Sequence, residues 1–173
     1  VDRALADALA LDAGGVDALI VENYHDVPFR AERVDAHTVA AMTVAVREVA
    51  SAVRCMVGVN VLRNDAAAAL GIALATGAGF IRVNVHTGAM ATDQGVIHGR
   101  ADETLRLRRQ LGAEGVQVWA DVLVKHAVPL GPLGIADAVR DAVERGLADA
   151  VIVSGTGTGR RADPEDVREA AGA

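Results

Sequence analysis

The chain of 173 residues is long enough for a single domain with a sizeable core, which we expect to cover residues 1–173. Lys and Arg total 17 against 23 for Asp and Glu, and the net charge of −6 argues against a nucleic-acid surface. Cys55 is the single cysteine, and no apolar run reaches the roughly 20 residues of a membrane span, so we expect a cytoplasmic protein without disulfides or an integral membrane segment.

Strands and helices alternate along the chain with polar residues after each strand. Asp35, Asp65 and Asp163 stand where each would begin a helix as its N-cap, and Pro164 fits a first helical turn. The stretch from Thr92 to His98 reads as a polar loop. The alternation predicts βαβ units that build one parallel sheet. The predicted helices cover 1–13, 34–53, 66–76, 100–111, 133–145 and the stretch after 163, and the predicted strands cover 18–21, 56–62, 80–88, 116–122 and 149–153.

The third predicted strand, residues 80–88, has an apolar side and a polar side. The same two-faced pattern recurs in residues 116–122, where Val118 alternates with Trp119 and Asp121. A strand inside an open parallel sheet is covered on both faces and is apolar throughout, whereas a barrel strand packs its apolar side on helices. The pattern therefore favours a barrel with a polar interior. In the third strand, Ile81, Val83 and Val85 form the predicted helix-facing side, and Arg82, Asn84 and His86 form the inward side.

Five short motifs together resemble the BtpA/SgcQ family. They are Val-Glu-Asn-Tyr at 21–24, Val-Asn-Val-Leu-Arg-Asn-Asp at 59–65, Phe-Ile-Arg-Val-Asn-Val at 80–85, Thr-Asp-Gln-Gly at 92–95 and Ala-Asp-Val-Leu-Val-Lys-His-Ala at 120–127. The resemblance implies an α/β fold, a (β/α)8 TIM barrel of the ribulose-phosphate-binding type. It also implies photosystem I biogenesis in one branch and sugar or nucleotide metabolism in others, with no established reaction. Five strands instead of eight predict an incomplete barrel of about five β/α units, without the first strand and the last two.

The ends of parallel strands are where such folds place their sites. On this basis we predict catalytic roles for Asp121, Lys125, Glu22 and Asn84. If extended geometry persists past Val122, Lys125 returns to the side of Asp121. The pair then either closes the barrel top, holds an anionic substrate, or presents the Lys125 amine as a base or Schiff-base nucleophile.

The same reasoning yields a set of predicted substrate-binding residues. The glycine-rich loop 154–159 would present backbone N–H groups to an anion, although it matches neither a Walker A nor a Rossmann motif and also suits a plain turn. Arg82 has a structural alternative as an ion-pair partner, and Asp65 is explained by capping alone. The set comprises Asn23, Asn60, Arg82, His126, Ser154, Gly155 and Thr156.

Two functions of different class remain open at this point. The first is an enzyme, of isomerase, lyase or aldolase type, acting on a small phosphorylated metabolite. The second is a non-catalytic assembly or stability factor, which should expose a large apolar patch. A homo-oligomer is compatible with both, and the sequence identifies no cofactor and no metal site, since the Glu22, His25 and Asp26 cluster lacks a metal-binding spacing.

Overall fold

The structure is a computed structural model that describes all residues from Val1 to Ala173. Six α-helices are present: α1 (Asp2–Ala13), α2 (Ala36–Ala52), α3 (Ala66–Thr76), α4 (Ala101–Gln110), α5 (Ile135–Arg140) and α6 (Pro164–Gly172). A π-helical turn, Asp141–Arg145, continues α5. The strands are β1 (Ala18–Glu22), β2 (Met56–Asn60), β3 (Phe80–Val83), β4 (Ala89–Thr92), β5 (Gly95–His98), β6 (Gln117–Val122), β7 (Ala127–Pro129) and β8 (Ala150–Val153).

Five strands form one sheet in the order in which they occur in the sequence, β1-β2-β3-β6-β8. The pairings of β1 with β2, β2 with β3, and β6 with β8 are parallel. Helices connect most of these strands, as the βαβ pattern requires. The predicted α/β fold with a parallel sheet in sequential order is therefore confirmed.

A second sheet of three antiparallel strands, in the order β5-β4-β7, was not predicted. β4 and β5 form a hairpin, so the prediction of a polar loop from Thr92 to His98 is wrong. The predicted strand 80–88 is also too long, because β3 ends at Val83 and the chain leaves the main sheet to enter this hairpin. Val85 therefore packs with Met90, Ile97 and Val124 beside the small sheet, and not on helices as expected.

The helix ends follow the local capping signals with one exception. Asp65 Oδ1 accepts from the backbone N of Ala68 (2.9 Å), and Asp163 Oδ1 accepts from the backbone N of Glu165 (2.8 Å). Both are N-caps as predicted. Asp35 occupies the cap position of α2, but its carboxylate makes no capping hydrogen bond and instead pairs with Arg30 at 3.1 Å.

The chain divides into two compact units. Unit 1 comprises Val1–Arg82 and Leu107–Gln117, and unit 2 comprises Val83–Arg106 and Val118–Ala173. In unit 1, α2 packs against α1 and α3, and Val46, Val49 and Leu70 are fully buried. In unit 2, Ala120 and Val122 of β6 pack with α5 and α6 in one apolar cluster.

No helix combines the length and the apolar character that crossing a membrane demands.

Candidate functional site

In unit 1, three neighbouring strands bring Glu22, Asn60 and Arg82 together at their carboxyl ends. Glu22 is the register partner of Asn60, and Val59 is the partner of Ile81, so the next residues along, Asn60 and Arg82, are level. Asn60 Nδ2 donates to Glu22 Oε1 at 2.8 Å, and Arg82 Nη1 donates to the same oxygen at 2.9 Å. Arg82 is thus the ion-pair partner of Glu22, and one carboxylate oxygen accepts both donors.

Asn60 has a second polar atom with no partner. Asn60 is 1% exposed, and its Oδ1 atom accepts no hydrogen bond. Burying a carbonyl oxygen without a donor costs about 1–3 kcal/mol, so this arrangement does not serve stability alone. Beneath this layer the ring of Phe80 lies over Gly58, where a Cβ atom would overlap it. This contact explains why β2 carries a glycine there.

A cavity of about 600 Å³ adjoins Glu22 in unit 1. Its walls come from the end of β1, the following loop and the first turns of α2, and include Asp26, Arg30 and Thr38. Asn23 also lines it, but its amide is used within the protein. Nδ2 donates to Leu62 O (3.0 Å) and Asp26 Oδ2 (3.2 Å), and Oδ1 accepts from Leu62 N (2.6 Å).

In unit 2, Asn84 and Asp121 form a buried pair. Asn84 Nδ2 donates to Asp121 Oδ2 at 2.9 Å, and the two residues are 3% and 7% exposed. Asn84 Oδ1 again has no partner. The pair of Asn84, just past the end of β3, and Asp121 of β6 repeats the arrangement of Asn60 with Glu22: an amide donates to a carboxylate while its own oxygen accepts no hydrogen bond.

Lys125 and His126 lie in a turn and not on an extended strand. β6 ends at Val122, and both Leu123 and His126 adopt positive φ angles, of 50° and 57°. The premise that alternation continues from Asp121 to Lys125 is therefore wrong, and the role of Lys125 stays a prediction. The cause is β7, which begins at Ala127 and draws the chain into the antiparallel sheet.

The glycine-rich loop 154–159 contacts the His126 turn within unit 2. His126 Nε2 and Thr158 Oγ1 are hydrogen-bonded at 3.2 Å. Ser154 Oγ is shielded from solvent and has no hydrogen-bond partner. Two predicted binding segments, His126 and the loop that contains Gly155 and Thr156, thus meet. Sequence reasoning overlooked Arg160, which directly follows this loop.

His86 was predicted to lie on the inward side of the third strand with Arg82 and Asn84, but the structure places it elsewhere. Its Nε2 donates to the carbonyl oxygen of Gly146 at 2.8 Å, and the residue is 1% exposed. Added atoms at Gly146 would overlap the His86 ring and Thr87. β3 ends three residues before His86, so His86 is not part of the strand. Its hydrogen bond instead connects the segment after β3 to the residue that follows the π-helical turn.

The titratable and sulfur ligands do not assemble into a metal centre: no group of three or more His, Cys, Asp or Glu side chains is placed to hold an ion.

A sequential parallel sheet whose strands are connected by helices defines an α/β protein. The chain belongs to the BtpA family, whose model, described as "BtpA family", matches residues 1–173. The photosystem I biogenesis protein BtpA of Synechocystis sp. is 54% identical over 173 residues, covering 100% of this chain and 60% of that protein. SgcQ of Escherichia coli, a putative sgc region protein by name, is 37% identical over 94% of this chain and 60% of its own length. The chain thus spans about three fifths of these relatives.

Among solved structures, phosphoribosyl anthranilate isomerase from Thermococcus kodakaraensis aligns with a TM-score of 0.48 and 18% sequence identity. The alignment covers 95% of this chain and 64% of that one.

Proposed function

We propose that the protein is an enzyme that acts on a small phosphorylated metabolite of the sugar or nucleotide type. In this proposal the whole protein is a (β/α) barrel of the ribulose-phosphate-binding type, and the reaction takes place at the carboxyl ends of the strands. The sequential parallel sheet and the BtpA family membership support the barrel. Because the chain spans three fifths of its relatives, the proposal concerns the whole protein.

The observation that carries the proposal is the repeated pairing of an asparagine with a carboxylate. Asn60 with Glu22 and Asn84 with Asp121 each leave a buried Oδ1 atom without a donor. A hydroxyl group of a sugar is a suitable donor for such an oxygen. Each buried acceptor without a partner is a cost in the unliganded fold that a ligand hydroxyl group donating to it would remove.

The carboxylates are the groups we assign to proton transfer. In the first pair Asn60 and Arg82 both donate to Glu22 Oε1, which fixes the carboxylate plane and leaves Oε2 for a substrate proton. In the second pair Asn84 orients the carboxylate of Asp121 through Oδ2. Arg82 donates to the same oxygen of Glu22 as Asn60 does, and its side chain is only 10% exposed, so we assign it as a positioning residue. Lys125 is assigned to an anionic group of the substrate or to nucleophilic chemistry.

The proposal is tested by thermal shift with sugar phosphates and their free sugars. A ligand at 100 times its Kd adds about 2.7 kcal/mol to the unfolding free energy. We expect at least one sugar phosphate to raise the melting temperature of the wild type and not of Asn84→Ala. Thr76→Val is the matched control, since Thr76 is a buried polar residue whose hydroxyl bonds within α3. A full-length protein that responds to no member of the panel contradicts the proposal.

One observation favours the second candidate function, a non-catalytic assembly factor. The outer face of the three-stranded sheet is apolar: Ala91 of β4 is flanked in register by Val96 and Val128, which are 47% and 66% exposed, and Leu130 follows at 60%. An exposed face of this kind is typical of a contact surface. Complementation of a strain that lacks the gene separates the two functions. An assembly role requires that the double variant Val96→Lys with Val128→Lys fails to complement and that Asn84→Ala complements. An enzymatic role requires that Asn84→Ala fails to complement and that the double variant complements.

A further inference from the structure

The loop after β8 has a fixed shape that a mere flexible connector would not need. A Cβ atom on Gly155 would overlap the carbonyl oxygens of Arg160 and Arg161, so the chain closes back upon itself at that point. The backbone N of Arg160 donates to the carbonyl of Gly157 at 3.0 Å and completes a turn. The 155–161 segment is therefore a preformed closed loop.

Gly157 leaves a small space that is bordered by two nitrogen-bearing side chains. A Cβ atom at Gly157 would lie 3.7 Å from Arg160 Cδ, 3.8 Å from Arg160 Nε and 4.0 Å from His126 Cε1. The guanidinium of Arg160 thus folds towards the loop, on the side where His126 meets Thr158. An open glycine between a guanidinium and an imidazole allows an anion to approach backbone N–H groups closely.

The neighbouring polar groups supply donors and almost no competing charge. Arg160 and Arg161 each lack a carboxylate within 4.0 Å, whereas Asp163 is occupied in capping α6, and Glu165 pairs with Arg168. Ser154 Oγ, at the start of the loop, has no hydrogen-bond partner and no access to solvent.

We infer that the closed loop and the side chains of Arg160, His126 and Thr158 form a binding site for a phosphoryl group. The inference deepens the proposed function, on which it rests, because it assigns the phosphate of the substrate to one loop and adds Arg160 to the site. The guanidinium binds two phosphoryl oxygens, as its planar fork favours, while the loop backbone and the Thr158 hydroxyl donate to the remaining oxygens.

Inorganic phosphate and glycerol 3-phosphate, with glycerol as the uncharged comparison, test this site by titration followed by NMR of the loop amides. We expect both anions and not glycerol to shift the 154–159 resonances. Arg160→Gln should weaken phosphate binding at least tenfold. Arg161→Gln is the matched control, because it removes the same charge one residue away, and it should change the affinity by less than twofold.

Gly157→Ala separates binding from folding. Its methyl group meets its neighbours only at ordinary contact distances, so the melting temperature should not fall, whereas the space for the anion is filled and phosphate affinity should drop at least fivefold. Equal losses in Arg160→Gln and Arg161→Gln would show a general charge effect and overturn the inference, as would an absence of phosphate-induced shifts. Phosphate binding without any turnover would refute the enzyme and leave this site intact.

Discussion

Asn84 donates from Nδ2 to Asp121 Oδ2 at 2.9 Å, and its own carbonyl oxygen, although buried, accepts no hydrogen bond. The amide therefore holds the carboxylate in place and remains incomplete itself. A residue selected only for stability would have both ends of the amide satisfied, as Asn23 has.

Replacing Asn84 with leucine tests this asymmetry. The substitution removes an unsatisfied acceptor and one donor to Asp121, so the two contributions to the unfolding free energy oppose each other, and we expect a change within about 1.5 kcal/mol. Ligand affinity or turnover, by contrast, should fall at least tenfold. Urea denaturation and ligand titration measure the two quantities separately. A loss of stability above 3 kcal/mol with affinity retained would show that Asn84 is purely structural.

Gly58→Ala should strongly destabilise the protein because the new methyl group overlaps the Phe80 ring. Overpacking of a filled interior costs about 1–3 kcal/mol, and Phe80 is fully buried, so its ring has no free space to enter. Phe80→Leu in the same chain should recover part of the loss, which gives a non-additive double-mutant cycle.

Gly71→Ala is the matched control for that experiment. Gly71 lies within α3, where an added Cβ meets nothing within 4 Å, so alanine should stabilise by about 0.5–1 kcal/mol through helix propensity. If Gly58→Ala and Gly71→Ala had similar effects in urea denaturation, the Phe80 contact would not be the reason for glycine at position 58.

Asp65 and Asp35 occupy the N-cap positions of α3 and α2, but their side chains should contribute differently to the stability of the protein. Asp65 caps α3 through Oδ1 and also accepts from the backbone N of Val34 through Oδ2 at 2.9 Å. Asp65→Ala loses both bonds and should cost about 2 kcal/mol. Asp35→Ala loses only an exposed pair with Arg30 and should cost less than about 0.5 kcal/mol. Equal midpoints of urea denaturation in the two variants would contradict this assignment.

The sequence predicted the elements whose determinants are local. The Asp65 and Asp163 caps and the alternation of strands and helices depend on residues within a few positions of each other, so the parallel order followed from the pattern. The small antiparallel sheet did not, because β4 pairs with β7, more than thirty residues away. For the same reason the end of β3, the packing of Val85 and the contact of His86 with Gly146 were not predictable from alternation.

In the candidate site, too, the contacts between neighbouring strands were predictable from the sequence and the contacts made by loops were not. Alternation placed Asn60, Arg82, Asn84 and Asp121 on polar faces, and strand register brought Glu22, Asn60 and Arg82 into hydrogen-bonding distance. The geometry of Lys125 depended on continued extension past Val122, which a positive φ at Leu123 ends. Arg160 follows a loop whose closure depends on the carbonyl groups of residues 160 and 161, a contact that no sequence period reveals.

Asp12, in the last turn of α1, should make the stability of the protein depend on pH in the acid range. Its Oδ1 accepts from the backbone N of Arg54 (3.0 Å) and of Cys55 (2.9 Å), and these two hydrogen bonds, led by that of Cys55, lower the pKa of Asp12. A carboxyl group with a lower pKa in the folded state contributes stability above its unfolded pKa of about 3.9, and that contribution disappears as the pH falls through the folded value. Asp12→Asn removes the ionisation, so the unfolding free energy of this variant should decline less than that of the wild type between about pH 5 and pH 3.

Asp7→Asn is the control, because Asp7 is 72% exposed and pairs with Arg3 only at 4.0 Å. The unfolding free energy of this variant should fall with pH as steeply as that of the wild type. Urea denaturation at several pH values measures all three profiles, and a wild-type slope in Asp12→Asn would show that the hydrogen bonds to the 54–55 backbone do not couple folding to this carboxyl group.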